Sequence, residues 1–333
     1  MASDYPQHLL EILEAVGQSP SGQRNRAANA ATGEILYFLD NDSIVTPTLF
    51  SRVAKYYAEA TGAQDSSCPT NTVCRKHPPP RSESNTPGLA GVGGPNLTPA
   101  SDNFLQKTFG YALASPFAHF SMCARYKSIG PVRSTGEKEL ILCNLSVGRE
   151  IFLQEGGFDE SMYPNEENEF INRVMEKGYR FLYDPDAFIY RSRRHQLLDF
   201  MKQLSHYGRG RADQILLEGL SAKSLIFFLP FGLLVYLLLL AGVSLAGMSA
   251  WWHYPPFLLY AVLGMFSVFQ YVIHERNPVL ALVLPIWFLG MHLSYGIGLI
   301  FGFLNAWLPK ENAADDAQPL IDVIVRKSFE TTS

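Results

Sequence analysis

At 333 residues, the chain is long enough for one sizeable domain and an additional region. A formal net charge of −4 argues against a nucleic-acid-binding surface, so no nucleic-acid partner is expected. Cys68, Cys74, Cys123 and Cys143 form no CxxC pair and have no nearby histidine set, which argues against a zinc site and for reduced thiols in a cytosolic setting.

In chain order, the first 23 residues lack the continuous apolar core of a secretory signal. Within them "QHLLEILEAVG" reads as a helix. A second helix is expected from near Ser21 to Gly33, and its arginines either meet phosphate near the following strand end or face water. Residues 35–39, "ILYFL", form a short apolar run suited to a buried strand. That run stops at Asp40-Asn41-Asp42. Side chains at i and i+2 of extended backbone point the same way, so both aspartates can reach one hard divalent cation. An Asp/Asn turn that caps the next helix accounts for the same residues. Thr46 as N-cap and Pro47 at the first helical position open that helix, which runs to about Ala60. Residues 64–86 are rich in Ser, Pro, Asn and Arg and read as a mobile insertion. Residues 89–93 and 139–144 are further strand candidates. The sequons at Asn96 and Asn144 are chance matches on a cytosolic domain.

"YPNEENEF" places Glu166, Glu167 and Glu169 in the first turn of a helix with Asn165 as N-cap. At about 100° per residue, Phe170, Ile171, Val174 and Met175 form one apolar face. Glu167 projects near the middle of that face, Glu166 on its flank, and Glu169 opposite, four residues before Arg173. An inward carboxylate in the first turn is tolerated because free N–H groups and the helix dipole favour its charge. Such a carboxylate serves either as a general base or only as a cap of its own helix.

Residues 191–222 are basic with interleaved apolar positions, and Leu197, Phe200, Met201 and Leu204 recur at helical spacing. The pattern suits a helix in a membrane interface, packed against the soluble domain, or both. Apolar segments at 225–248, 256–273 and 279–304 each meet or approach the roughly 20 residues needed to cross a bilayer. Trp251, Trp252 and Tyr254 lie where an aromatic belt would sit. The basic residues ahead of the first segment place the soluble domain in the cytoplasm and the chain in the plasma (inner) membrane, with Arg276 inside and the tail after Pro309 outside.

Four passages in order, "QRNRAANAATGEILYFLDND", "GGPNLTP", "CNLSVGREIFLQEGGFDESMYPNEENEF" and "KQLSHYGRGR", resemble the family 2 glycosyltransferases of GT-A fold, in particular membrane-anchored members of exopolysaccharide (succinoglycan-type) synthesis. The resemblance implies an α/β, Rossmann-like GT-A domain over residues 1–190, an interfacial segment at 191–222, about three transmembrane helices over 223–305 and a polar tail at 306–333. It also implies a nucleotide-sugar donor whose diphosphate is held through Mg²⁺ or Mn²⁺ at Asp40 and Asp42, and a lipid-linked saccharide acceptor. Glu167 takes the place of the base. Arg24, Asn25, Gly157, Asp159, Glu166, Gln203, Tyr207, Arg209 and Arg211 fall at positions that line the donor, acceptor or lipid pyrophosphate. The family usually carries aspartate as base in an "EDDE" run; here the run is Glu166-Glu167-Asn168-Glu169. The added methylene moves the carboxylate by about 1 Å, a displacement that can cost roughly a hundredfold. Neither of the family's opening strands is legible in residues 1–23, so the chain reads as N-terminally shortened, with a sheet edge left for a partner or rearrangement to cover. The competing expectation is a non-catalytic relative that anchors a partner subunit.

Overall fold

The computed structural model describes residues 3–62, 87–220, 222–307 and 322–326. In chain order the elements are β1 (Ile12–Val16), α1 (Pro20–Ala30), β2 (Ile35–Leu39), β3 (Ser43–Val45), α2 (Leu49–Ala60), β4 (Gly88–Gly93), β5 (Asn96–Leu97), α3 (Phe104–Leu113) and α4 (Pro116–His119). They continue with β6 (Arg133–Thr135), β7 (Asn144–Gly148), α5 (Arg149–Gln154), α6 (Glu166–Glu176), β8 (Tyr179–Tyr183), β9 (Ile189–Arg191) and α7 (Leu197–Glu218). Last come α8 (Leu229–Leu245), α9 (Pro255–Glu275), α10 (Leu280–Trp307) and β10 (Asp322–Arg326).

The fold is α/β, built on a mixed five-stranded sheet ordered β2-β7-β4-β8-β6. In it β4 and β8 run parallel, while β2/β7, β4/β7 and β6/β8 are antiparallel. A second sheet is ordered β3-β9-β5, and β1 pairs antiparallel with β10. The strand at 12–16 corrects the expected helix in "QHLLEILEAVG": pairing with a segment some 300 residues distant overrides local periodicity. β1 does not join β2, which is an edge of the five-stranded sheet among the described residues.

Local signals explain most other elements. Ser19 caps α1 by accepting from Gly22 N–H at 3.2 Å, and Pro20 supplies the preset φ of the first turn. β2 alternates, with Leu36 and Phe38 buried. α2 starts at Leu49 rather than Pro47, with Thr48 in the N-cap position. The strand expected at 139–144 begins only at Asn144, because Asn144 N–H closes a turn on Ile141 O before pairing with β2 starts. On α6, Phe170, Ile171 and Val174 are fully buried, contributing roughly 1.5–3 kcal/mol each, whereas Met175 is exposed. Phe170 packs on Phe152 and Phe158 at ring-centroid distances of 5.1 and 5.3 Å, which fixes α6 against the sheet.

Three helices, over Ser224–Leu245, Pro255–Glu275 and Leu280–Asn305, are long and apolar enough to cross a membrane. The last packs along α7. A Cβ on Gly208 would lie 2.2 Å from Tyr295 O, and one on Gly298 would lie 2.0 Å from Ser205 O. Small residues let the two backbones touch. Phe109 of α3 stacks on Phe200 of α7 at 4.1 Å and meets Trp287 of α10 edge-on, so α7 joins the mixed domain to the apolar helices. The expected insertion at 64–86 and most of the tail at 306–333 lie outside the described residues.

Candidate active site

Asp40 and Asp42 follow the C-terminal end of β2 in a turn closed by Ser43 N–H donating to Asp40 O at 3.0 Å, which corrects the expected extended i, i+2 geometry. Two arginines converge on these aspartates. Arg24 Nη2 donates to Asp40 Oδ1 at 3.0 Å; Arg191 Nη1 pairs with Asp40 Oδ2 at 2.7 Å, and its Nε donates to Asp42 Oδ1 at 2.8 Å. Arg191 had no local signal beyond membership of a basic run. The pairing of β3 with β9 places it opposite Ser43, one residue from Asp42. Arg24 also reaches the acidic helix: its Nη1 donates to Glu166 Oε1 at 3.1 Å. One guanidinium thus ties the end of β2 to the start of α6.

Asn25, the neighbour of Arg24, is committed elsewhere. Its Nδ2 donates to Phe158 O and its Oδ1 accepts from Phe158 N–H, both at 2.8 Å. It therefore pins the loop containing Gly157 and Asp159. Gly157 has φ +73°, and a Cβ there would come 2.6 Å from Asn25 Oδ1, so glycine is required on two counts. Asp159 Oδ1 accepts from Ser161 N–H at 2.9 Å and closes the next turn.

The three acids of α6 separate in the structure. Glu169 is held by Arg173, with Nε to Oε1 at 2.6 Å and Nη2 to Oε2 at 2.9 Å. Glu167 is buried, as its projected direction implied. Glu166 is buried too, at 2% exposure, correcting its placement on the flank: α1 and Arg24 cover it. Burial, and then the neighbouring Glu167, pushes the Glu166 carboxyl up to about 7, against its own backbone N–H and Arg24. Burial also raises Glu167, opposed first by Arg125.

Glu167 lines a pocket of about 60 Å³ with Arg125, Asn168, Tyr207, Arg211 and Tyr295, the last contributed by α10. Tyr207 accepts from Gln203 Nε2 at 2.5 Å, and Gln203 Oε1 accepts from Arg194 Nε at 3.0 Å. Arg211 is buried, donates to Gln214 Oε1 at 2.5 Å and pairs with Glu137 at 3.4 Å, beneath the Phe227 ring. Arg209 instead lies over the Phe301 ring of α10, 5.5 Å from its centroid. The structure thus brings Glu167, Tyr207 and Arg211 to one pocket, and Arg24, Asp40, Asp42 and Glu166 to one charged chain. Asn25, Gly157 and Asp159 shape a loop, and Arg209 faces the apolar helices. Arg125 and Glu137 carry no recognisable local motif, and only tertiary packing shows them.

Residues 1–128 match the family model described as Glycosyl transferase family 2. A stretch of 72 residues, 22% of this chain, is 35% identical to the "Pre-mycofactocin glycosyltransferase" of two strains of Mycobacterium tuberculosis. That stretch covers 14% of those relatives' length, so the chain matches only a small part of them. Among solved structures, the mannosyltransferase PcManGT from Pyrobaculum calidifontis, in complex with GDP-Man and Mn²⁺, superposes with a TM-score of 0.42 at 14% identity. The superposition covers 86% of this chain and 67% of that one, and is too loose to carry an argument about function.

Proposed function

We propose that this chain, with its glycosyltransferase family 2 match over residues 1–128, is a membrane-bound inverting glycosyltransferase. It would move a sugar from a nucleotide-sugar donor to a lipid-linked glycan in exopolysaccharide or cell-envelope polysaccharide synthesis. The reading is carried by one observation: Glu167 is buried on the wall of a pocket, while its neighbour Glu166 is tied through Arg24 to Asp40 at a strand end. The three apolar helices and the wall that Tyr295 contributes support an acceptor delivered at the membrane. The basic run ahead of them supports a cytoplasmic catalytic domain at the plasma membrane.

Asp40 and Asp42 fit a divalent cation, Mg²⁺ or Mn²⁺, by donor chemistry: both are carboxylates at the same strand end. Among the described residues no group of three or more candidate ligands occurs, so phosphate oxygens and water would have to complete the shell. Such a cation supplies positive charge for a leaving nucleoside diphosphate. Arg24 and Arg191, already at these carboxylates, are the groups placed to meet phosphate. Glu167 takes the proton of the acceptor hydroxyl as its oxygen bonds to the anomeric carbon; the bond from that carbon to the diphosphate oxygen breaks on the opposite face. Arg211, buried against Glu137, holds the pocket wall in shape rather than reaching for phosphate.

Calorimetry with UDP and with GDP, each with Mn²⁺, tests the donor side. Binding is expected for one of them and its loss in Asp42→Ala. Glu167→Gln is expected to bind nucleotide normally and to transfer nothing. A folded chain that binds neither nucleotide would support the non-catalytic subunit instead.

A further inference from the structure

We infer that Arg125 is a positioning residue for the base, gripping the helical turn that carries Glu167 and setting a fixed positive charge beside its carboxylate. The inference rests on the assignment of Glu167 as base. Arg125 closes a short 3-10 turn, Phe120–Arg125, and is 7% exposed. Its guanidinium is fixed on three sides. Nε donates to Lys138 O at 3.2 Å, while Nη2 donates to Glu137 O and, at 2.6 Å, to Asn168 Oδ1. Asn168 follows Glu167 on α6, so the arginine grips the same helical turn that carries the base. The remaining nitrogen, Nη1, stands 3.8 Å from Glu167 Oε1. That separation is too long for a hydrogen bond, so Arg125 acts on Glu167 as a fixed charge.

The surroundings show why this charge is needed. Three buried glutamates meet three arginines: Glu166 with Arg24, Glu137 with Arg211, and Glu167 with Arg125. A carboxylate out of water is driven towards protonation and a cation beside it opposes this, while a protonated Glu167 cannot take up the acceptor's proton. Among the groups that oppose its protonation Arg125 ranks first, ahead of the backbone N–H, Arg24 and Arg211. Glu167 itself raises the neighbouring Glu166 on the same helix, so the two carboxylates share one buried site. The pocket also holds His119, Tyr126, Tyr207 and Tyr295. Burial pushes His119 down to about 4 and Tyr126 well up, so neither supplies charge near neutral pH.

Infrared pH titration of the full chain in detergent tests this without an activity assay. The carboxyl band of Glu167 is assigned by difference from Glu167→Gln, in a Glu166→Gln background that removes the like charge. Arg125→Met and Arg125→Gln are expected to raise its midpoint by roughly one to three pH units. Arg125→Lys, which keeps the charge, is expected to return it towards the wild-type position. A wild-type midpoint in either neutral variant overturns the inference. Should Glu167 not be the base, transfer would survive Glu167→Gln while the infrared shift persisted, so the two failures are distinguishable.

Discussion

Substituting Gly208 by alanine tests how α7 is seated on α10. A Cβ at this position falls 2.2 Å from Tyr295 O and 2.8 Å from Leu299 N, both backbone atoms that no rotamer change can move. Ordinary carbon contacts begin near 3.5 Å, so the helices must part by about 1 Å, which forfeits a quarter to a half of the dispersion energy along the seam. Overpacking of this kind costs about 1–3 kcal/mol, against which alanine returns about 1 kcal/mol of helix propensity. The expected net loss is about 0–2 kcal/mol. That puts Gly208→Ala about 1–3 kcal/mol below a control that takes only the propensity gain, or roughly 2–12 °C in Tm at about 2–4 °C per kcal/mol. Gly242→Ala on α8 is the matched control, because nothing lies within 4 Å of its added Cβ, and it should be neutral or slightly stabilising. Both are measured by thermal exposure of the buried thiols Cys123 and Cys143 in detergent, in a Cys68→Ser, Cys74→Ser background. Opening the seam also withdraws Arg211, three residues on, from Glu137. If Gly208→Ala melted with Gly242→Ala, the close approach of α7 and α10 would be refuted.

The remaining predictions concern the loop, the core and pH. Asn25→Ala leaves the amide and carbonyl of Phe158 without their partner, an expected loss of about 1–3 kcal/mol in chemical denaturation. Nucleotide binding in that variant should be retained, because Asn25 is committed to the Phe158 backbone and stands outside the charged chain at Asp40. Phe170→Ala empties a fully buried site between Phe152 and Phe158 and is expected to cost about 3–5 kcal/mol by the same assay. For Glu166, the folded-state value of about 7 lies above the unfolded 4.5, so folding favours the protonated form. Its contribution to stability is complete below about 4.5 and is lost as pH rises through about 7. Stability measured across that window should therefore fall with rising pH, and Glu166→Gln should flatten the profile.

The candidate site was partly legible in advance, for reasons that differ between residues. Asp40 and Asp42 were readable because a strand's apolar run and its stop are local, and the run at 35–39 is found at Ile35–Leu39. The direction of Glu167 was readable because 3.6-residue periodicity projects backwards from Phe170, Ile171 and Val174. Glu166 was misplaced because periodicity describes one helix alone, and the cover over Glu166 comes from α1 through Arg24. Arg125 and Glu137 were invisible because their neighbours are distant in sequence, as in the approach of Arg125 to Glu167.

The sequence by itself therefore determined what single segments can express: the start of α6 after Asn165, the apolar face of that helix, the acids after β2 and three helices of membrane-spanning length. Tertiary structure alone decided that residues 12–16 form a strand and that Arg191 stands at Asp42. It also decided that α7 is sealed to α10 through glycine, and that Glu137, Glu166 and Glu167 each stand beside their own arginine. Strand pairing and charge compensation are relations between remote segments, and they gain their energy only when folding removes water from between them.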